Sequence, residues 1–470
     1  MRYLPAYITT LFLLFYGLVT ANEGHQINVS IKGQSNTEYY LAYHFGNRQY
    51  LKDTAQVNLA GQAVFSGPER LKPGLYLVVM EDDRNFELII DHNQFFSVSV
   101  DPDDFTGSAT FANSPDNEAF YDYIRFLGKK GKERQALESE MDREETGPDR
   151  QHEIREALTE MDQEVQQKQN RLIDDHPDAL LSLIILAQRD PEISAPPTLP
   201  DGSIDRQKMY QLYKQHFFDN IDFTDDRILQ TPVYHARLRV FFNNVLMQHP
   251  DSIIVEADRV LGKSRANKEM FKYTVWFITN NAESSPMMGM DAVFVHMVEN
   301  YYMTGEVDWM EEERLQRIIS RAMDMKPLLL GKVAPDIRVY DPEGNPVVLH
   351  DVEADYLIVY FWDSECGFCR QATPALKEAY RNLQGEGVKV FSVNTETDRD
   401  KWLRVISDYQ LDWIHANDAQ NRSGFRDKYN IFAIPQFLIL DEDKKILAKD
   451  IGVEHIEQFI RHKMQIRANR

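Results

Sequence analysis

The chain has 470 residues, 43% hydrophobic and 27% charged, with a formal net charge of −22 and two cysteines. That is enough apolar material for about two to four domains with cores of their own. The acidic balance disfavours nucleic acid or an anionic membrane surface as a partner, because each requires a basic footprint, and two cysteines cannot staple a scaffold by disulfides.

Met1 and Arg2 lead into the apolar run Leu11 to Val19, which closes on the small-residue pattern Val19-Thr20-Ala21. Residues 1–21 read as a signal peptide cleaved after Ala21. The run is shorter than the roughly 20 residues a spanning helix needs and has no basic flank on its far side. No cysteine follows that could carry a lipid, and no later stretch is long enough to span a bilayer. The expected compartment is the periplasm or cell envelope of a Gram-negative-type bacterium, with no requirement for membrane association.

Residues 22–112 are strand-rich. Alternation of apolar and polar residues marks Ile27 to Ile31 and Tyr39 to Phe45, and β-type runs follow at Leu75 to Met80, Phe86 to Ile90 and Phe95 to Val100. Turn signals at Lys32-Gly33, Gly61, Gly67-Pro68 and Lys72-Pro73-Gly74 separate them. A small β-sandwich is the simplest architecture. It resembles a module of uncertain function that precedes thioredoxin-like domains in exported bacterial proteins.

Residues 113–325 have helical periodicity almost throughout and read as an all-α domain. Ile154, Leu158, Met161, Val165 and Leu172 form one stripe of a long amphipathic helix, paired as a hairpin with the helix before Gly147-Pro148. The aromatics from Tyr210 to Tyr302 are assigned to helix packing rather than a ligand groove, and Met287, Met288, Met290 and Met297 to packing and loops rather than to a soft metal.

From residue 326 to the end the pattern changes to alternating strands and helices, an α/β sheet with helices on both faces. Here lie both cysteines, in Cys366-Gly367-Phe368-Cys369, between the strand-like run Tyr356 to Phe361 and a helix-like run from Arg370. Two cysteines three positions apart at a helix start can close a small ring. The first keeps its sulfur exposed to the partial positive charge of unpaired helix N–H groups, which favours a nucleophilic thiolate. Thiol–disulfide exchange is the chemistry this arrangement suggests.

The segment Tyr360-Phe-Trp-Asp-Ser-Glu-Cys-Gly-Phe-Cys369, followed by Pro374 and by Ala433-Ile434-Pro435, resembles the thioredoxin fold. With the Gly331-Lys-Val-Ala-Pro-Asp336 opening, an extra strand–helix segment and the export signal, it is similar to bacterial TlpA/ResA-type thiol–disulfide oxidoreductases. The resemblance implies Cys366 as attacking thiolate, Cys369 as resolving thiol and Pro435 as a cis-proline. It implies Ile434 as a residue offering backbone groups to an extended substrate, with Trp362, Gly367 and Phe368 shaping the docking surface. It also implies disulfide-bearing client proteins and a membrane thiol–disulfide electron donor as partners, and neither cofactor nor metal.

The chain departs from the family pattern at Tyr360 and Ala372, where carboxylates stand in thioredoxin and in some ResA-type proteins. Glu365 and Glu396 are the remaining candidates for proton handling. Three other readings of the motif are weaker. A structural disulfide would close so short a loop for only about 2 kcal/mol, a zinc site has no histidine near it, and peroxidase chemistry wants a Pro and a Thr before the cysteine, where Asp363-Ser364-Glu365 stands. The rival of a different class is an envelope binding or assembly protein with a vestigial or redox-sensing thioredoxin-like domain.

Overall fold

The structure, a computed structural model, describes residues 24–143 and 147–469; the expected signal peptide lies outside the described residues. The chain divides into two compact units, residues 1–241 and 242–470.

The first unit opens with β1 (His25–Ile31), β2 (Glu38–Phe45), β3 (Arg48–Gln56), β4 (Gln62–Gly67), β5 (Gly74–Met80), β6 (Asn85–Ile90) and β7 (Phe95–Val100). A short helix α1 (Phe105–Ser108) and β8 (Thr110–Ala112) follow. They form two four-stranded sheets, ordered β4-β1-β7-β8 and β3-β2-β5-β6. Alternation decides which side chains point inward, so Ile27, Val29 and Ile31 of β1 are buried while their neighbours are not. Three strands, β3, β4 and the three-residue β8, lie where the sequence reading assigns none. β3 is an edge strand with almost every side chain exposed, so it lacks an alternating signal. β4 does alternate, but Gly61 and Gly67-Pro68 bracket it so closely that the stretch reads as turn.

Helices α2 (Pro115–Met141) and α3 (Pro148–Asp175) form the expected hairpin. Ile154 and Met161 are buried, while Leu158, Val165 and Leu172 are half-buried. Polar pairs run along the remaining contact, with Lys168 and Asp122 at 2.5 Å and Arg150 and Glu140 at 2.7 Å. α4 (Leu180–Gln188), α5 (Arg206–His216) and α6 (Val233–Val240) complete this unit. Its internal tie is ionic. The carboxylate of Asp91, 3% exposed, takes Arg227 Nη1 at 3.1 Å and the N–H of Leu180 at 3.1 Å, while Arg227 also holds Asp225 at 2.6 Å.

The second unit begins with α7 (Pro250–Ser264), α8 (Lys268–Glu283), α9 (Asp291–Met297) and α10 (Glu312–Met325). Its remainder comprises β9 (Arg338–Tyr340), β10 (Pro346–Val348), β11 (Tyr356–Trp362), α11 (Gly367–Asn382), β12 (Val388–Asn394), α12 (Arg399–Asp408) and β13 (Ile414–Asn417). It ends with α13 (Phe425–Lys428), β14 (Gln436–Asp441), β15 (Ile446–Lys449) and α14 (Ile456–Ala468). The strands make one seven-stranded sheet, β10-β9-β13-β12-β11-β14-β15.

β11 is central, parallel to β12 and antiparallel to β14, and all seven of its residues are buried. That is why its sequence is a continuous apolar run rather than an alternating one. Ile358, Tyr360 and Trp362 point to one core with Leu376, Trp402 and Ile456; Leu357, Val359 and Phe361 point to the other with Leu328, Phe425 and Tyr429. Among the described residues no helix is long and apolar enough to cross a membrane. The architecture is thus two β-sheets, a helical region and a C-terminal α/β domain, as the sequence suggests.

Candidate functional site

The central strand delivers the chain to the turn Asp363-Ser364-Glu365, and α11 starts immediately after it. Cys366 is the N-cap of that helix, in extended backbone geometry, and its Sγ accepts the N–H of Cys369 at 3.3 Å. A sulfur in the capping position satisfies a helix donor that would otherwise be orphaned, and the bond strengthens once the sulfur is negative. Cys366 is half-buried, and its thiol donates to the carbonyl of Ile434 at 3.5 Å. The Ile434–Pro435 peptide bond is cis. Neither cysteine is in a disulfide.

Cys369 is of opposite character. It is 0% exposed, and burial, together with its hydrogen bond to Cys366, pushes its pKa up to about 12. The two sulfurs are therefore divided by environment into an accessible thiol and a protonated one held beneath it.

Below Cys369 the expected carboxylate is replaced by two hydroxyls. The phenol of Tyr360 lies 2.9 Å from Thr373 Oγ1, and Thr373 donates to the carbonyl of Cys369 at 2.8 Å. Burial pushes the phenol far above its ordinary range, so this pair fixes the first turn of α11 without acting as a base. Tyr360 is stacked on Phe437, with ring centroids 4.6 Å apart and planes at 4°, and on Trp362 at 5.9 Å. Pro374 lies inside α11, and Ala372 is 7% exposed at the wall beside Pro435.

The other expected site residues separate into exposed and buried sets. Gly367 is exposed and Phe368 is 73% exposed. Trp362, expected to shape the docking surface, is 1% exposed and packs in the core beside Tyr360. Neither proton-handling candidate is drawn to the sulfurs. Glu365 pairs with Lys401, and the carboxylate of Glu396 accepts the N–H of Asp398 at 3.0 Å.

Two residues escape the sequence reading. Asp363 accepts the N–H of Glu365 at 2.8 Å and the hydroxyl of Thr395 at 3.0 Å, and its charge is one of the lesser influences that raise Cys369. Its position in the turn before the cysteines was the available signal. Phe432 stands 90% exposed two residues before Ile434; an aromatic in a loop carries no periodicity that could flag it.

A helix-capping cysteine with its buried partner one turn on, facing an X–Pro loop from the adjacent strand, defines a thioredoxin-like protein. Residues 330–449 match the AhpC/TSA family, and the regions before them match two domains of unknown function, DUF4369 over residues 25–120 and DUF5106 over residues 157–324. The thiol-disulfide oxidoreductase ResA of Bacillus cereus is 25% identical over 135 residues, which are 29% of this chain and 77% of that protein. The C-terminal domain is an AhpC/TSA-type thioredoxin-like domain with ResA-type relatives, and the chain is a multidomain enzyme of the thiol–disulfide oxidoreductase class. Among solved structures, a domain of a possible thiol-disulfide isomerase from Cytophaga hutchinsonii is 36% identical, covers 31% of this chain and 99% of that one, and has a TM-score of 0.29. A thioredoxin-like protein from Bacteroides caccae is 18% identical, covers 58% of this chain and 99% of that one, and has a TM-score of 0.45.

Proposed function

We propose that the chain is exported and reduces disulfides of client proteins through the Cys366–Cys369 dithiol. Cys366 Sγ, as thiolate, attacks a client disulfide, forming a mixed disulfide and releasing one client sulfur. Cys369 loses its proton and attacks Cys366 Sγ, closing the internal disulfide and releasing the second client sulfur. The client gains two electrons and the dithiol loses two. A membrane thiol–disulfide donor returns them, because an envelope compartment has no reducing buffer of its own. Ile434 and Pro435 hold the client segment beside Cys366, with Gly367 and Phe368 on the other side.

The observation that carries this reading is the asymmetry of the two sulfurs, one half-buried at a helix N-cap and one fully buried below it. A resolving thiol that stays protonated until a mixed disulfide forms above it does not compete for the client. The test is a pair of variants incubated with a disulfide-bonded protein. Cys369→Ser is expected to accumulate a covalent complex that dithiothreitol dissolves, and Cys366→Ser to accumulate none. Equal trapping by both variants, or by neither, would sink the assignment.

A further inference from the structure

Two of the most exposed large apolar side chains in the second unit, Phe432 at 90% and Phe368 at 73%, line the same groove. Exposing an aromatic ring to water is unfavourable unless something covers it, and clustered exposure marks an interaction surface. The groove, about 690 Å³, also contains Pro435, so it runs up to the loop that touches Cys366. Met325, the last residue of α10, and Leu328 just beyond it also line the groove.

The charges in the groove are unevenly matched. Lys449 is neutralised by Asp291 of α9, the two side chains being 12% and 10% exposed. Asp450 and Glu454, at the same end, remain. The Asp450 carboxylate has no hydrogen-bond or ion-pair partner among the described residues, and Glu454 faces only its neighbour His455 at 3.6 Å. An apolar trough beside a reactive sulfur, lined also by two carboxylates that no lysine or arginine side chain pairs, is complementary to a segment that is apolar near its cysteine and cationic a little further on.

We infer that this groove selects clients whose disulfide cysteine is next to an aromatic or large aliphatic residue and is followed by a lysine or arginine. The aromatic ring sits among Phe432, Phe368 and Met325, and the cation reaches Asp450 and Glu454. The end of the helical region thereby sets client choice for the redox domain. This rests on the thiol-exchange reading above.

The experiment uses the reduced full chain and three synthetic peptides, each carrying one cysteine as its mixed disulfide with glutathione. The residue after the cysteine and the residue two further on are Phe and Lys, Phe and Glu, or Ser and Ser. Hydroxyethyl disulfide measures exchange with no peptide to recognise. The Phe/Lys peptide is expected to react about tenfold faster than Ser/Ser, with Phe/Glu between them. Phe432→Ser should collapse the ratio of Phe/Lys to Ser/Ser, and Asp450→Asn with Glu454→Gln should collapse the ratio of Phe/Lys to Phe/Glu. Rates within twofold across the three peptides, with hydroxyethyl disulfide still reduced, overturn the groove assignment and leave the exchange reading standing. No reduction of any disulfide overturns both.

Discussion

Replacing Cys366 by serine leaves Cys369 as the chain's one sulfhydryl, and that thiol should be nearly inert towards iodoacetamide at pH 8. Burial is the main cause of its raised pKa, and serine at position 366 leaves the burial in place. A thiol at the ordinary value of 9.0 is about one-tenth ionised at pH 8, whereas one at about 12, as Cys369 is beside Cys366, is ionised to roughly one part in ten thousand; serine withdraws the lesser push of the Cys366 sulfur and keeps the larger push of burial, so the variant's rate should lie between these limits. Exclusion of the side chain from solvent lowers the rate further. Mass spectrometry of the alkylated protein at a series of pH values reads this directly, and the rate should climb about tenfold per pH unit without levelling before pH 10. Adding Asp363→Asn should move the profile downward in pH, because the Asp363 charge opposes ionisation of Cys369. A plateau below pH 10, or a rate at pH 8 within tenfold of that of a free cysteine, would refute the division of roles between the two sulfurs. The same shift has a consequence for stability. A group whose pKa is raised by folding holds its proton when the unfolded chain has lost it, so its contribution is fully present below about 9 and falls as pH rises towards about 12.

Arg227→Met should destabilise the first unit by about 3 kcal/mol, since Asp91 would stay 3% exposed without its cation; urea titration of the full chain followed by far-UV circular dichroism measures it, and Asp91→Asn on the same background should recover part of the loss. In the second unit Lys449→Met leaves the buried Asp291 uncompensated, with one of its oxygens already lacking a partner. The expected cost is about 3 to 5 kcal/mol, and Asp291→Leu together with Lys449→Met should return most of it. If the double variant is no more stable than the single one, the pair is not a coupled unit.

Much of the C-terminal domain was legible because its signals are local. An uninterrupted apolar strand, a turn, two cysteines at a helix start and a distant Ile-Pro are each short patterns, and the fold needs them in that order. What escaped is what tertiary contact decides. β3 is written in polar residues because it lies at an edge, and Trp362 reads as a surface aromatic until β12 and β14 close over the strand that carries it. Asp291 and Lys449 are 158 positions apart, a pairing that no window of sequence reveals. Tyr360 shows the limit most sharply. The residue type announces a missing carboxylate, but only the packing reveals that Thr373 stands opposite and turns the position into a brace.

The same buried pair bears on how the molecule can be divided. Family similarity for the redox domain begins at residue 330, and a cut there looks natural. Leu328, 5% exposed, belongs to the hydrophobic cluster under the central sheet, and the lysine at the end of β15 is matched by an aspartate from α9. A fragment starting at 330 would carry an unmatched cation and an uncapped core, and its reaction groove would lose Met325 and Leu328. A cut placed before α9 instead keeps Leu328 in the core and the Asp291–Lys449 pair intact, so in this chain the unit that holds its charges and core together is larger than the one that carries the cysteines.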